Sequence, residues 1–307
     1  FLTCNYTNHL SAVRRELVNT VGGLRTEYNG AQDYDLLLRI HGLPGERNVY
    51  HVPKILYHWR EADGSTAGDF TVKEYALRAG EKAISEFLTT RGLEVTVRSI
   101  PERPGFYDPY ITHSKKTQAL IIVGRRGNER ASQTLKETLQ SITNQSSFGN
   151  DSVLFLTEKE YLDNPGKHVK NLRNTDMVVR IKDTLLPSSE DWLDRLAGAL
   201  ELDDVYAVAP RMIGYDGRIW DMGLVDTIHG TQKHLFRGLQ RVDDSIYGHT
   251  EWIRDVDSLT GSFYAIRARD FTLEAREITS SQPNQYVTVW SPVEATFYSK
   301  LGRAKGQ

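Results

Sequence analysis

The sequence predicts an α/β protein built on a mostly parallel sheet, and two observations lead to that prediction. Apolar runs typical of buried strands lie at 118–124, 153–157 and 177–181, and helical patterns accompany them at 132–142 and 192–200. Strands that alternate with helices favour a layered domain around a parallel sheet. The composition, with 39% hydrophobic and 25% charged residues, is that of an ordinary globular chain.

The first third of the chain is predicted to be mainly helical. Helical patterns lie at 11–21, 34–41 and 72–90, and the last has apolar side chains at the spacing of an amphipathic helix. The segment 48–57 is typical of a strand, although a proline within it restricts that strand to an edge or irregular position. In 92–116, the density of proline and glycine predicts a strand followed by a linker.

The length and these patterns together predict two domains. A chain of 307 residues is long enough for two units of about 150 residues each. We expect a first unit over 1–99, a linker over 100–116 and a second unit over 117–307. Further strands are predicted in the second unit at 205–213 and 262–266.

Charge, hydropathy and cysteine content exclude several classes of protein. Lys plus Arg number 38 and Asp plus Glu 40, and the resulting charge of −2 provides no electrostatic basis for binding nucleic acid. No apolar run approaches the roughly 20 residues of a membrane-spanning helix. The single cysteine, Cys4, excludes an internal disulfide and a cysteine-cluster zinc site, and it fits a reducing compartment. The chain opens at Phe1 without a signal-peptide pattern, and we expect it to be a piece of a longer protein.

The segment 30–39 (GAQDYDLLLR) is the most informative for chemistry. It places Asp33 and Asp35 at the start of a helix, directly after a turn. A carboxylate at such a junction can reach into a cleft and act as a general base. The alternative is that these acids only cap the helix and complement its dipole. A metal-binding Asp-x-Asp site is not expected here, because the pair precedes an apolar helix rather than following a buried strand.

A second polar segment, 56–60 (LYHWR), contains His58 and Arg60. A histidine at a strand end, followed by tryptophan and arginine, can serve a metal or a phosphate. The alternative interpretation is a partly buried structural histidine.

These segments resemble family 2 glycosyltransferases of the GT-A fold, which is Rossmann-like. The closest resemblance is to the bacterial enzymes that build O-antigen and related surface polysaccharides. The motifs that carry it are Asn5-Tyr6, 14–18 (RRELV), Gly22-Gly23, 30–39 and 56–60. Residues 1–90 are similar to the acceptor-side half of that fold, so the donor-binding half is expected before Phe1.

The resemblance implies roles for individual residues of the first unit. It implies that Asp33 is the catalytic base and that His58 helps to bind a metal and the diphosphate. Substrate or diphosphate contacts are implied for Asn5, Asp35, Arg39, Arg60 and Ser65.

Residues 117–307 resemble a second copy of the same fold, read from its beginning. The matching motifs are 119–124 (ALIIVG), 191–193 (DWL), 207–210 (AVAP), 215–219 (YDGRI) and 260–267 (TGSFYAIR).

This second copy departs from the family at its metal site and its base. Only Asp183 remains at the Asp-x-Asp position, and Arg180 and Lys182 beside it would repel a divalent cation. Tyr298 stands where the family has histidine, and the acidic helix-start motif is absent. We therefore expect the second unit to be a degenerate and non-catalytic copy.

The resemblance implies an inverting glycosyltransferase of the hexosyltransferase type. Such an enzyme would take a sugar from a nucleotide-sugar donor and place it on a hydroxyl group of a polysaccharide or a lipid-linked glycan. A divalent metal, Mg²⁺ or Mn²⁺, would carry the charge of the leaving diphosphate. The implied location is the cytoplasm, with peripheral association at the inner face of the cytoplasmic membrane as an option.

Two other interpretations stay open. The chain could be a non-catalytic module that binds a glycan or a partner enzyme, because its donor site is incomplete. Alternatively, Asp33 and His58 of the first unit could form a composite site with the nucleotide-binding half of the second.

Overall fold

The structure of the protein is a computed structural model. It describes residues 1–7, 10–43, 49–50, 52, 54, 56–57, 74–124, 129–143, 146–243, 248–271, 277–279 and 286–297. The chain divides into two compact units, Phe1–Ile111 and Thr112–Gln307.

The first unit contains three helices and a β-hairpin among its described residues. Its elements are α1 (Arg15–Thr20), α2 (Gln32–His41), α3 (Glu74–Thr89), β1 (Val95–Ile100) and β2 (Arg103–Ile111). β1 and β2 pair antiparallel, with Val95 opposite Ile111. α3 packs on α2 and on the hairpin through a buried face that includes Ile84, Phe87 and Leu88.

Two predicted segments of the first unit differ from the structure. The linker prediction is wrong over 103–111, which forms β2. Prolines in this range suggested a break, but each strand of a two-stranded hairpin has a free edge, where a missing backbone N–H costs no ladder hydrogen bond. The described residues of the predicted strand 48–57 do not belong to a strand.

The second unit is an α/β layer built on one large sheet. Its helices are α4 (Glu129–Thr143), α5 (Glu158–Asp163), α6 (Pro165–Val169) and α7 (Trp192–Ala199). Its strands are β3 (Ala119–Gly124), β4 (Val153–Thr157), β5 (Met177–Lys182), β6 (Leu185–Pro187), β7 (Val205–Ile213), β8 (Ile219–Asp221), β9 (Leu224–Asp226), β10 (Gln232–His234), β11 (Arg254–Val256), β12 (Leu259–Thr260), β13 (Phe263–Arg267), β14 (Glu277–Ile278) and β15 (Tyr286–Phe297).

The main sheet has the order β11-β15-β7-β13-β5-β3-β4, with β6 on β15 and β8 on β7. Along this path β4, β3, β5, β7 and β15 run in one direction, whereas β13 and β11 run in the other. The prediction of an α/β fold with a mostly parallel sheet is therefore confirmed. β13 lies between β5 and β7 and pairs antiparallel with both, so it separates the parallel strands β4, β3 and β5 from β7 and β15.

The core of the second unit lies on both faces of this sheet. All six residues of β3 are buried, as expected for a central strand covered on both sides. One face carries a cluster that includes Leu120, Val178 and Tyr264. On α7, Trp192 is fully buried with its ring edge-on to Phe263 of β13, at 5.7 Å between centroids.

None of the described helices combines the length and the apolar character that crossing a bilayer requires.

Candidate functional site

The predicted base, Asp33, lies in the first turn of α2. The helix begins after Gly30, whose φ of +93° is a conformation that favours glycine. A Cβ at Gly30 would also lie 2.7 Å from the side chains of Ala76 and Tyr75 on α3. The glycine therefore allows both the turn and the close approach of α3, and together these fix where α2 begins.

Asp35, two residues further on, is the buried member of the carboxylate pair. It is 1% exposed and forms ion pairs with Arg25 and, at 2.7 Å, with Arg39. Burial alone would raise the pKa of Asp35, but hydrogen bonds from the two guanidinium groups hold it below its usual value. The carboxylate is therefore ionised, and it is paired with two arginines inside the protein.

Arg39 and Arg25 connect this buried carboxylate to the surrounding chain. Arg39 donates to the backbone carbonyl of Gly23 at 2.7 Å, next to the end of α1. Arg25 donates to Glu86 of α3 at 2.7 Å. Asp35 and Arg39 therefore have a structural role, and their contact with substrate stays a prediction. The network holds α1, α2 and α3 together and fixes the helix that carries Asp33.

Asp33 itself is half-buried, in contrast to Asp35. Its Oδ1 accepts a hydrogen bond of 2.8 Å from the backbone N–H of Tyr34. Burial raises the pKa of the nearby Tyr107 hydroxyl, and the charges of Glu81 and Asp33 raise it further. Asp33 thus lies on a fixed helix start beside a tyrosine that stays protonated.

Tyr34 ties this helix start to the N-terminal segment. Its hydroxyl donates to the carbonyl of Phe1 at 2.6 Å, and its ring lies 6.0 Å from that of Tyr107. Asn5, predicted to meet the acceptor, is half-buried on the same segment and accepts a hydrogen bond of 2.9 Å from Thr7. The remaining predicted residues of the first unit, His58, Arg60 and Ser65, lie outside the described residues.

In the second unit, polar groups meet at the carboxyl ends of β3 and β5. Gly124 ends β3, and its carbonyl accepts from the backbone N–H of Asp183 at 2.9 Å. Lys182 ends β5, and its ammonium donates to the Ser262 hydroxyl at 3.0 Å. In open α/β sheets this edge, where the strand order reverses, is the usual place for a ligand.

Asp183, the predicted metal ligand, is 5% exposed, and its Oδ2 accepts a hydrogen bond of 3.2 Å from Ser132 of α4. Arg180 forms an ion pair of 3.1 Å with Glu158 at the start of α5. Among the described residues, no group of three or more histidine, cysteine or acidic side chains could hold a metal ion. A divalent cation prefers several carboxylate oxygens, and the role of Asp183 as a metal ligand stays a prediction.

Sequence reasoning missed Arg25, Glu86 and Tyr107. Their contacts to α2 join residues far apart in the chain, and no local sequence pattern predicts such contacts. One signal was available, because Asp35 and Arg39 stand four residues apart on a helix, the spacing of a supporting ion pair.

The chain has recognisable relatives, although no family model matches it. It is 26% identical over 291 residues to the O-antigen biosynthesis protein RfbC of Myxococcus xanthus, an alignment that covers 87% of this chain and 22% of the relative. The chain resembles an O-antigen biosynthesis protein. This similarity confirms the predicted resemblance to proteins of bacterial surface-polysaccharide assembly.

A second relative is an uncharacterized protein of Sinorhizobium fredii (strain NBRC 101917 / NGR234). It is 26% identical over 261 residues, which are 75% of this chain and 28% of the relative. The chain thus spans about a quarter of the length of the curated relatives it matches, 28% of one and 22% of the other.

Two solved structures show a weak likeness to the chain. One is GalNAc-T7, solved with UDP, GalNAc and Mn²⁺, at a TM-score of 0.35 and 9% identity over 64% of this chain and 46% of that one. The other is A197 from STIV, at a TM-score of 0.35 and 9% identity over 60% of this chain and 86% of that one.

Proposed function

We propose that this chain is part of a glycosyltransferase that transfers a sugar from a nucleotide-sugar donor to a hydroxyl group of a bacterial surface polysaccharide. The observation that carries the proposal is the similarity to an O-antigen biosynthesis protein over 87% of the chain. The acceptor is a polysaccharide or a lipid-linked glycan, and the sugar is of the hexose type. The reaction takes place in the cytoplasm or at the inner face of the cytoplasmic membrane.

Asp33 is the general base of the proposed reaction. Its carboxylate accepts the proton of the acceptor hydroxyl as that oxygen bonds to the anomeric carbon of the donor. The bond between that carbon and the diphosphate oxygen breaks, its electron pair leaves with the nucleoside diphosphate, and the anomeric configuration inverts. The geometry supports this role, because Asp33 is half-buried on a helix start that the ion pairs of Asp35 hold in place.

The residues proposed to bind a divalent metal, such as His58, lie outside the described part of the chain. The described residues form no site for it, and Asp183 is better explained as part of the packing between β5 and α4.

The test is Asp33→Asn in the full-length protein, with turnover and donor affinity measured separately. A positioned base contributes about 10²–10⁴-fold to a rate, so turnover is expected to fall by at least about 10²-fold, while donor affinity stays nearly unchanged. Glu27→Gln, an equivalent change on an exposed side chain nearby, serves as the control. Turnover of Asp33→Asn equal to that of the control would remove Asp33 from the mechanism.

A second candidate function applies to the second unit alone. Because Asp183 is buried and its described surroundings offer no metal site, this unit fits a non-catalytic module that binds a glycan or a nucleotide without transferring a sugar. Its sheet edge at Lys182 and Ser262 supports such a role, since an ammonium group there can meet an anion.

A further inference from the structure

A buried carboxylate, Asp221 at the end of β8, organises a polar cluster in the second unit. It is 1% exposed and accepts hydrogen bonds from the backbone N–H of Gly223 at 2.9 Å and from the Thr260 hydroxyl. Nδ1 of His234, at the end of β10, lies 3.3 Å from its Oδ1. The carboxylate is thus surrounded by donors from β10, from β12 and from the turn that follows β8.

This contact orients the His234 ring. A carboxylate oxygen accepts hydrogen bonds, so the contact favours the ring form that carries a proton on Nδ1. Nε2 is then an acceptor in the neutral ring and a second donor in the cation. The His234 side chain is 28% exposed, whereas that of Asp221 is 1% exposed.

The backbone directly after His234 is strained. Phe236 has a φ of 55°, a left-handed conformation that a bulky side chain rarely adopts. Packing holds it there, because the Arg254 guanidinium lies 4.8 Å from the centroid of the Phe236 ring. The backbone carbonyl of Phe236 also accepts a hydrogen bond of 3.0 Å from the backbone N–H of Leu239. Strain of this kind persists where the surrounding structure maintains it, often at functional sites.

The strained turn also brings an arginine to the same place. Arg237 is exposed, and its guanidinium lies 5.1 Å from the centroid of the Trp220 ring. The Trp220 ring in turn lies 6.4 Å from that of His234. An imidazole and a guanidinium therefore border one half-buried indole. The carboxylate that contacts this imidazole, Asp221, is buried and accepts further hydrogen bonds from Gly223 and Thr260.

We propose that His234 and Arg237 form a binding site for the phosphate of a phosphorylated saccharide, positioned beside Trp220. Guanidinium and imidazolium groups form strong charge-assisted hydrogen bonds with phosphate oxygens. Asp221 is a positioning residue, since it contacts Nδ1 of the imidazole, and Nε2 is the ring nitrogen that would meet the phosphate. The phosphate belongs either to a nucleotide-sugar or to a lipid-linked glycan. The site is independent of the transfer proposed for Asp33, because it lies on other residues and requires only binding.

The proposal is tested with the whole chain carrying ¹⁵N-labelled histidine side chains, with His234→Gln to assign the signal. The free protein is expected to show the Nδ1–H form of His234. Titration with pyrophosphate is expected to shift the His234 ring signals in a saturable way and to leave those of the exposed His229 in place. Arg237→Gln, a change on an exposed side chain that leaves the fold intact, is expected to weaken pyrophosphate binding about tenfold, the loss of one charge-assisted hydrogen bond.

Three results would overturn the proposal. They are an Nε2–H form in the free protein, equal shifts of His229 and His234, and pyrophosphate affinity unchanged by Arg237→Gln. Arg269→Gln, on another arginine of the second unit, is the control and is expected to leave the affinity unchanged.

The source of the phosphate is then distinguished by comparing UDP with geranyl diphosphate as competitors. Tighter binding of UDP assigns the site to the donor, and tighter binding of geranyl diphosphate assigns it to a lipid-linked acceptor. Equal binding of the two supports a site that recognises the phosphate alone. Activity of Asp33→Asn does not enter this measurement, so failure here and failure of the proposed transfer are separate results.

Discussion

His113 and Asp194 form a buried contact in the second unit, with 3.1 Å between Nε2 and Oδ1 and each side chain 4% exposed. Nδ1 of His113 lies 3.0 Å from the carbonyl of Ser114, and Ser147 donates to the same carboxylate through both its hydroxyl and its backbone N–H. Both ring nitrogens of His113 therefore face acceptors, an arrangement that suits the imidazolium form.

This pair predicts a specific dependence of stability on pH. Burial alone would lower the pKa of His113, but the contacts to Asp194 and the Ser114 carbonyl raise it above its usual value. Burial alone would raise the pKa of Asp194, but the hydrogen bonds from His113 and Ser147 hold it below its usual value. The His113 contribution is complete below about pH 6.5 and is lost as pH rises through the raised pKa. The Asp194 contribution is complete above about pH 3.9 and is lost as pH falls through the lowered pKa.

The measurement is the free energy of unfolding of wild type and His113→Gln across pH. The difference between the two is expected to be largest between about pH 4 and 6.5 and to shrink in alkaline solution. The exposed His229→Gln is the control and is expected to follow wild type. A difference between wild type and His113→Gln that stays constant across this range would contradict the prediction.

Asp35→Asn is expected to destabilise the protein by about 3 kcal/mol, because it leaves the guanidinium groups of Arg25 and Arg39 without their buried partner. Denaturant unfolding measures the change. The matched control is Glu74→Gln, which breaks an ion pair with Arg78 whose side chains are 76% and 73% exposed. That change is expected to cost less than about 1 kcal/mol. Equal costs for the two variants would show that the Asp35 network does not hold the helices.

Gly30→Ala is expected to cost more stability than Gly23→Ala. Both glycines have positive φ, +93° and +76°, so alanine brings a similar backbone penalty of about 1–2 kcal/mol at each. At Gly30 the added Cβ would also lie 2.7 Å from Ala76 and Tyr75, whereas nothing lies within 4 Å at Gly23. The difference between the variants in denaturant unfolding therefore measures the close approach of α3. Equal destabilisation would mean that only the backbone conformation matters.

Nucleotide binding by the second unit is expected not to depend on metal. A divalent cation prefers several carboxylate oxygens, whereas Arg180 and Lys182 flank Asp183 in the sequence and can meet a diphosphate without a metal. The measurement is a calorimetric titration of the whole chain with UDP, once with Mn²⁺ and once with a chelator. It is made in the His58→Ala variant, which lacks the predicted metal ligand of the first unit. Metal-dependent binding that is retained in His58→Ala and lost in Asp183→Asn would contradict the prediction and assign Asp183 as a metal ligand.

Local patterns predicted the helices and strands of this protein that have a pronounced apolar pattern. The strands β3, β4, β5 and β7 and the helices α2, α3 and α7 lie within a few residues of their predicted positions. These segments have a strong apolar period or a continuous apolar run, and such patterns are local properties of the chain. The prediction was wrong at 103–111, because proline and glycine are compatible with a linker but do not exclude an edge strand. Whether a strand forms there depends on pairing with β1.

The sequence alone determined that two carboxylates stand at the start of a helix, because the turn at Gly30 and the apolar period that follows are adjacent in the chain. Only the tertiary structure decided which of them is buried. Asp35 turns toward Arg25 and Arg39, and Asp33 stays half-buried. In the same way, only the fold brings His234 to Asp221 across separate strands. Burial and hydrogen-bond partners depend on contacts between distant segments, and no local pattern records which segments will meet.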